Sequence, residues 1–188
     1  MLTFGYDVEK TGVDPLEDML ITIQYRRNGQ NHIFKIWDYD SEKKMILAFL
    51  NDWANIPRHL LRGGDFFVTF NFRLDGPFLL TRCLLNNLGY DPEWHKQLWN
   101  ILIHGPDFID IDQLLGDKLT SLEEWREGFG LKPSIFKNSE IPHLYKLRRY
   151  KDIEEYVNDE LIGLEEIYGA ISKEPFYAEL EKLRNRTR

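Results

Sequence analysis

The sequence predicts an α/β domain, a five-stranded mixed sheet flanked by helices, and three observations carry that prediction. Residues 2–38 hold three strand-like runs, the last two joined by Asn28-Gly29, a strong hairpin signal. The first three strands therefore form an antiparallel meander. Beyond them strand and helix patterns alternate, as in crossover α/β folds. Residues 151–171 then repeat apolar side chains at helical spacing.

The elements follow in order. Side chains alternate faces along a strand, so in residues 2–9 Leu2, Phe4, Tyr6 and Val8 form one face. Thr3, Gly5, Asp7 and Glu9 form the other. Lys10-Thr11-Gly12-Val13-Asp14-Pro15 is a turn by its Gly and Pro content. Residues 19–26 and 32–38 read as the second and third strands. Residues 41–55 place Met45, Ile46, Phe49, Leu50 and Trp53 on one helical face, with Ser41 as N-cap and Pro57 as stop. Residues 66–70 are almost wholly apolar, as in a strand buried on both faces. A helix runs from there to about residue 88, with Asp75 as the cap of a helix entering at Pro77. Residues 93–103 read as helix and 108–112 as the fifth strand. Ser121 and Glu124 have capping-box spacing. Residues 128–143 read as loop and 151–171 as a long helix. Residues 1–172 make one domain, and 173–188 a final helix or tail.

Composition bounds the function. A chain of 188 residues is long enough for one real core. Its net charge of −7 argues against holding nucleic acid through bulk positive charge. That charge leaves open an enzyme that meets nucleic acid through metal ions, because such a site is itself acidic. The single cysteine, Cys83, excludes an intrachain disulfide and fits a reducing compartment, so a cytoplasmic location is expected. No apolar run reaches the length of a membrane span, and the N-terminus lacks the regions of a signal peptide.

Four constellations stand out. Asp7 and Glu9 put two carboxylates on one strand face. Like charges raise each other's pKa, and Mg²⁺ or Mn²⁺ would relieve the repulsion. Asp75 lies after a buried strand, where ligands bind in open α/β sheets; helix capping accounts for it equally well. In residues 153–171 the apolar stripe is Ile153, Val157, Leu161, Leu164, Tyr168 and Ile171, and Glu160 falls inside its arc. Asp159 falls outside, towards solvent. Tyr156 and Glu160 stack as i and i+4. Tyr145-Lys146-Leu147-Arg148-Arg149-Tyr150-Lys151 interleaves cations with tyrosines, which suits phosphate contacts and base stacking as well as a solvated turn. Asp110 and Asp112 form a competing pair, ranked below the first strand. The five histidines have no ligand spacing, and no serine or cysteine nucleophile motif occurs.

Together these segments resemble the DEDD superfamily of 3′-5′ exonucleases, which has the ribonuclease H-like fold. Asp7-Val8-Glu9-Lys10-Thr11-Gly12 is similar to its first motif. Asn71-Phe72-Arg73-Leu74-Asp75-Gly76-Pro77-Phe78-Leu79 is similar to the second. Residues 156–168 are similar to the tyrosine variant of the third, with an acid four residues after Tyr156. The resemblance spans roughly residues 1–170 and points to the stand-alone relatives of the family B polymerase proofreading domain. The family has aspartate where this chain has Glu160; counting from Asp159 instead puts polar residues on the apolar positions.

The resemblance implies two divalent metal ions, Mg²⁺ or Mn²⁺, held by Asp7, Glu9, Asp75 and Glu160, with Tyr156 orienting the attacking water. It implies hydrolysis at the 3′ end of single-stranded DNA or RNA, releasing 5′-mononucleotides. Thr11, Asn71, Arg148 and Arg149 are the candidates for substrate contacts. The competing expectation is a catalytically degenerate domain that binds nucleic acid or protein, which the Glu160 departure favours.

Overall fold

A computed structural model describes residues 2–54, 66–88, 108–112 and 121–175. It is a mixed α/β structure whose strands are β1 (Leu2–Lys10), β2 (Leu20–Arg27), β3 (Gln30–Lys35), β4 (Phe66–Thr69) and β5 (Phe108–Asp110). They form one sheet in the order β3-β2-β1-β4-β5. The first three are antiparallel, and β4 runs parallel to both β1 and β5. The described helices are α1 (Glu42–Ala54), α2 (Phe72–Leu85), α3 (Leu122–Gly128), α4 (Ile141–Lys146) and α5 (Tyr150–Ile171). The helix expected at 93–103 and residues 176–188 of the tail lie outside the described residues.

Helices cover both faces of the sheet. Val8, Ile23 and Tyr25 pack with Met45, Ile46, Phe49 and Leu50 of α1 and with Phe78, Leu79 and Cys83 of α2. On the other face, Ile21 packs with Ile153, Tyr156, Val157 and Leu161 of α5 and with Leu144 of α4. Val68 packs there with Leu122 of α3 and with Leu164 and Ile167 of α5. The apolar stripe of α5 is thus the core stripe expected from its spacing.

Several expectations change. The ladder sets two residues of β1, Gly5 and Tyr6, against Tyr25 alone. This bulge breaks the strict two-residue alternation expected along the strand between Phe4 and Asp7. Gly5 sits at φ +58°, and a Cβ there would lie 2.6 Å from Leu161 Cδ2. The glycine lets α5 settle against the strand, which brings Glu160 towards Asp7. Gly5→Ala is expected to cost about 2–3 kcal/mol, combining left-handed strain with a clash. Urea denaturation checks it; a loss below about 0.5 kcal/mol would count against this close approach.

The second helix starts at Phe72, not Pro77, because its cap comes from another strand. Asp110 of β5 accepts Asn71 N–H at 2.9 Å and Phe72 N–H at 3.1 Å. Asp75 therefore stands in the first turn of α2, and Pro77 lies inside the helix. Further along, Arg82 Nε donates to Glu42 Oε1 at 2.9 Å, which ties α2 to α1. The third strand ends at Lys35, and Ile36–Asp38 is a 3₁₀ turn. The 128–143 loop holds a 3₁₀ turn, Asn138–Glu140, and the start of α4. That helix forms because Ile141 and Leu144 bury at helical spacing and Pro142 falls in the first turn. The capping box of Ser121 and Glu124 opens α3 as its spacing predicts.

Candidate metal centre

Parallel pairing between β1 and β4 covers only Leu2, Thr3 and Phe4. Past that point one edge of β1 is free of β4, and the polypeptide turns through Asn71 into α2. A cleft of about 420 Å³ opens there. Its lining includes Asp7, Lys10, Asn71, Asp75, Asp112, Glu123 and Glu160, with Val13, Phe70 and Leu74 as apolar neighbours. This is the C-terminal end of a parallel strand, the usual ligand position in such sheets.

Asp7, Glu9 and Glu160 converge in this region. One carboxylate oxygen from each lies within 4.8 Å of the other two. Two come from β1 and the third from α5, which the Gly5 contact seats on the sheet. Glu9 is only 1% exposed. Burial, and then the charge of Asp7, push its carboxyl up from 4.5 to about 8, although a hydrogen bond with Glu160 opposes the shift. Burial raises Glu160 well above the usual carboxylate range, helped by Asp7 and Glu9. Asp75 is also raised, by burial and then by Asp7, with Lys10 pulling the other way.

Polar neighbours orient the acids. Gln24 Nε2 donates to Asp7 Oδ2 at 2.8 Å. The buried Tyr156 hydroxyl donates to Glu160 Oε1 at 3.0 Å. Burial and the adjacent Glu160 raise that phenol, so it stays a proton donor at neutral pH. Lys10 Nζ lies 2.5 Å from Asp75 Oδ1. Even so, Glu9 Oε1 and Glu160 Oε2 are buried with no hydrogen-bond partner among the described residues. Orphaned carboxylate oxygens are costly unless something cationic meets them. An oxygen-only donor set of this kind fits a hard divalent cation.

The remaining candidates divide. Asn71 lines the cleft at φ 59°, and its buried Oδ1 has no partner among the described residues. Thr11 is not among the cleft-lining residues. Its hydroxyl donates to Asp18 at 3.0 Å and accepts Met19 N–H, closing the turn before β2. Arg148 takes φ 57° to end α4, with its N–H bonded to Tyr145 O. Arg149 pairs with Asp152. Neither arginine lines the cleft. Tyr150 stacks on Trp37 with ring centroids 4.5 Å apart, and Tyr145 packs beside it at 6.1 Å. These rings serve the core, so the basic-aromatic run before α5 is a helix junction.

Several contributors have no sequence signal of their own. Gln24 is an ordinary strand residue by pattern, and Lys10 reads as the first residue of a turn. Glu123 reads as a residue of a helix start, yet it lines the cleft and its charge raises Glu9. Asp112 was visible as half of the competing pair; it lines the cleft with Oδ1 buried, while its former partner Asp110 caps α2.

Asp159 does not simply face solvent. Arg126, 2% exposed, donates from Nη1 to Asp159 Oδ2 at 2.7 Å, and Ser134 Oγ lies 3.2 Å from the same oxygen. The guanidinium lies over Gly163, where a Cβ would come 2.8 Å from Nη1. This pair fixes α3 to α5 beside Glu160. Arg126→Met is expected to lower stability by about 3 kcal/mol, since Asp159 loses its charge partner. Chemical denaturation measures it, and a change under about 1 kcal/mol would reduce the pair to an ordinary surface contact.

No protein-family model matches this chain, and no curated protein matches it.

Proposed function

We propose that this protein is a metal-dependent 3′-5′ exonuclease with a ribonuclease H-like fold. One observation carries the reading: three carboxylates, two from the first strand and one from a late helix, meet within 4.8 Å and keep buried oxygens unpaired. The sheet order β3-β2-β1-β4-β5, with the acidic strand at its centre, supports the fold assignment. So does the Asp75 turn at the mouth of the same cleft.

Asp7, Glu9 and Glu160 would hold a divalent ion, with Asp75 beside them. When bound, such an ion supplies Lewis acidity towards a phosphodiester oxygen and neutralises its charge. The cluster would otherwise repel the phosphate backbone, so substrate affinity itself depends on the cation. Tyr156 holds Glu160 in place through its hydroxyl. Asn71, Phe70 and Leu74 border the space in which a terminal nucleotide would lie. Hydrolysis adds water across the terminal linkage and breaks its P–O3′ bond. The products are a 5′-mononucleotide and a strand with a new 3′ hydroxyl.

The test is release of mononucleotides from 3′-labelled single-stranded DNA and RNA with Mn²⁺, Mg²⁺ or EDTA. Cleavage in either metal and none in EDTA is expected. Metal binding without cleavage of either strand would favour the degenerate binding module instead.

A further inference from the structure

Lys10 is a cation already present in the acidic cleft. Its ammonium lies 2.5 Å from Asp75 Oδ1 and sits over the Phe78 ring, 5.1 Å from the centroid. Asp75 is 6% exposed and Phe78 3% exposed, so the cation is held between two buried groups. The lysine stem comes from the end of β1, and Asp75 comes from the first turn of α2, sixty-five residues away. Both elements are fixed: β1 by the sheet, α2 by Asp110 at its start and by Glu42 near its end. A dication at the same carboxylate would face a fixed like charge at short range, which is costly away from bulk water.

The three-carboxylate group contains Asp7, Glu9 and Glu160; Asp75 is not in it, and adjoins it through a side-chain hydrogen bond with Asp7. Glu9, a member of that group, is nearly fully buried, and its Oε1 has no hydrogen-bond partner among the described residues. The cluster therefore has an unsatisfied end and a satisfied one. We propose that Lys10 is the built-in counter-ion of the Asp75 end. The centre takes one divalent ion, on Asp7, Glu9 and Glu160, and Lys10 stands where a second would bind. This rests on the reading of the cluster as a metal centre and alters its stoichiometry. It departs from the two ions that the family resemblance implies.

The experiment is Mn²⁺ titration of the full chain by calorimetry, with paramagnetic resonance of the saturated protein. One ion per chain is expected, with the hyperfine sextet of isolated Mn²⁺. Lys10→Met is expected to bind two, with the sextet replaced by the broad multiline spectrum of a coupled pair. Two ions in the unaltered protein would overturn the role of Lys10 and leave the exonuclease reading standing. No ion would overturn both. One ion in both proteins would also overturn it, because the lysine would not be what excludes the second. Lys10→Gln, which keeps most of the stem, repeats the comparison should the methionine variant fail to fold. If neither variant folds, the count in the unaltered protein decides.

Discussion

Asp7→Asn is expected to lower mononucleotide release by about 10³-fold, roughly 4 kcal/mol of transition-state stabilisation, while raising the melting temperature of the metal-free protein. The two effects have one cause. Asp7 is the acid whose charge pushes up Glu9, Asp75 and Glu160 alike. Removing it relieves the repulsion that a bound cation would otherwise relieve. Asparagine keeps an oxygen for the 2.8 Å bond from Gln24, so the strand loses little packing. An acid that served only the fold would behave in the opposite way, because its loss would destabilise the protein. Nuclease rates on 3′-labelled strands, with thermal unfolding in EDTA, measure both effects. Full activity in the variant, or a lower melting temperature, would remove Asp7 from the centre.

The metal-free protein is expected to lose about 5–10 °C of melting temperature between about pH 5 and pH 8, and divalent metal is expected to restore it. The sign follows from proton counting. In the unfolded chain these carboxylates ionise at ordinary values. In the folded chain Glu9 holds its proton up to about 8, and Asp75 and Glu160 are raised as well. The folded state therefore binds more protons across that window, and stability falls as pH rises. It is greatest below the ordinary carboxylate range and is lost as pH passes the folded value. Lys10 moderates the slope and Glu123 steepens it, through their charges on Glu9. A cation that binds only the folded state adds about 2.7 kcal/mol at a hundredfold excess over its dissociation constant. It also replaces the retained protons, so its stabilisation grows with pH. Melting curves in EDTA and in Mn²⁺ across the range give the answer. A flat or rising profile in EDTA would mean that the acids are solvated and separate.

Part of the centre was legible in the primary structure for local reasons. Asp7 and Glu9 are two apart in a strand, so alternation alone puts them together. Glu160 falls inside the apolar arc of α5 because helical phase depends only on spacing. The hairpin at Asn28-Gly29 and the capping box at Ser121 are equally local. The overturned expectations are non-local. The start of α2 moved to Phe72 because Asp110 caps it from another strand. Asp159 is neutralised by Arg126, from a helix more than thirty residues earlier. Arg148 and Arg149 carry the charge pattern of a phosphate contact, and the fold places them at the junction of α4 and α5, outside the lining of the cleft.

By itself the sequence determined which residues share a face within an unbroken stretch of strand or helix, because periodicity there is a property of neighbouring positions. It thereby determined that Asp7, Glu9 and Glu160 are acids pointed at covered surfaces. Only the tertiary structure decided what stands opposite each of them. Lys10 meets Asp75 and Gln24 meets Asp7 because a bulge at Gly5, a cap from β5 and the seating of α5 set the distances between elements. Electrostatic pairing depends on those distances, and no periodicity in the sequence encodes them.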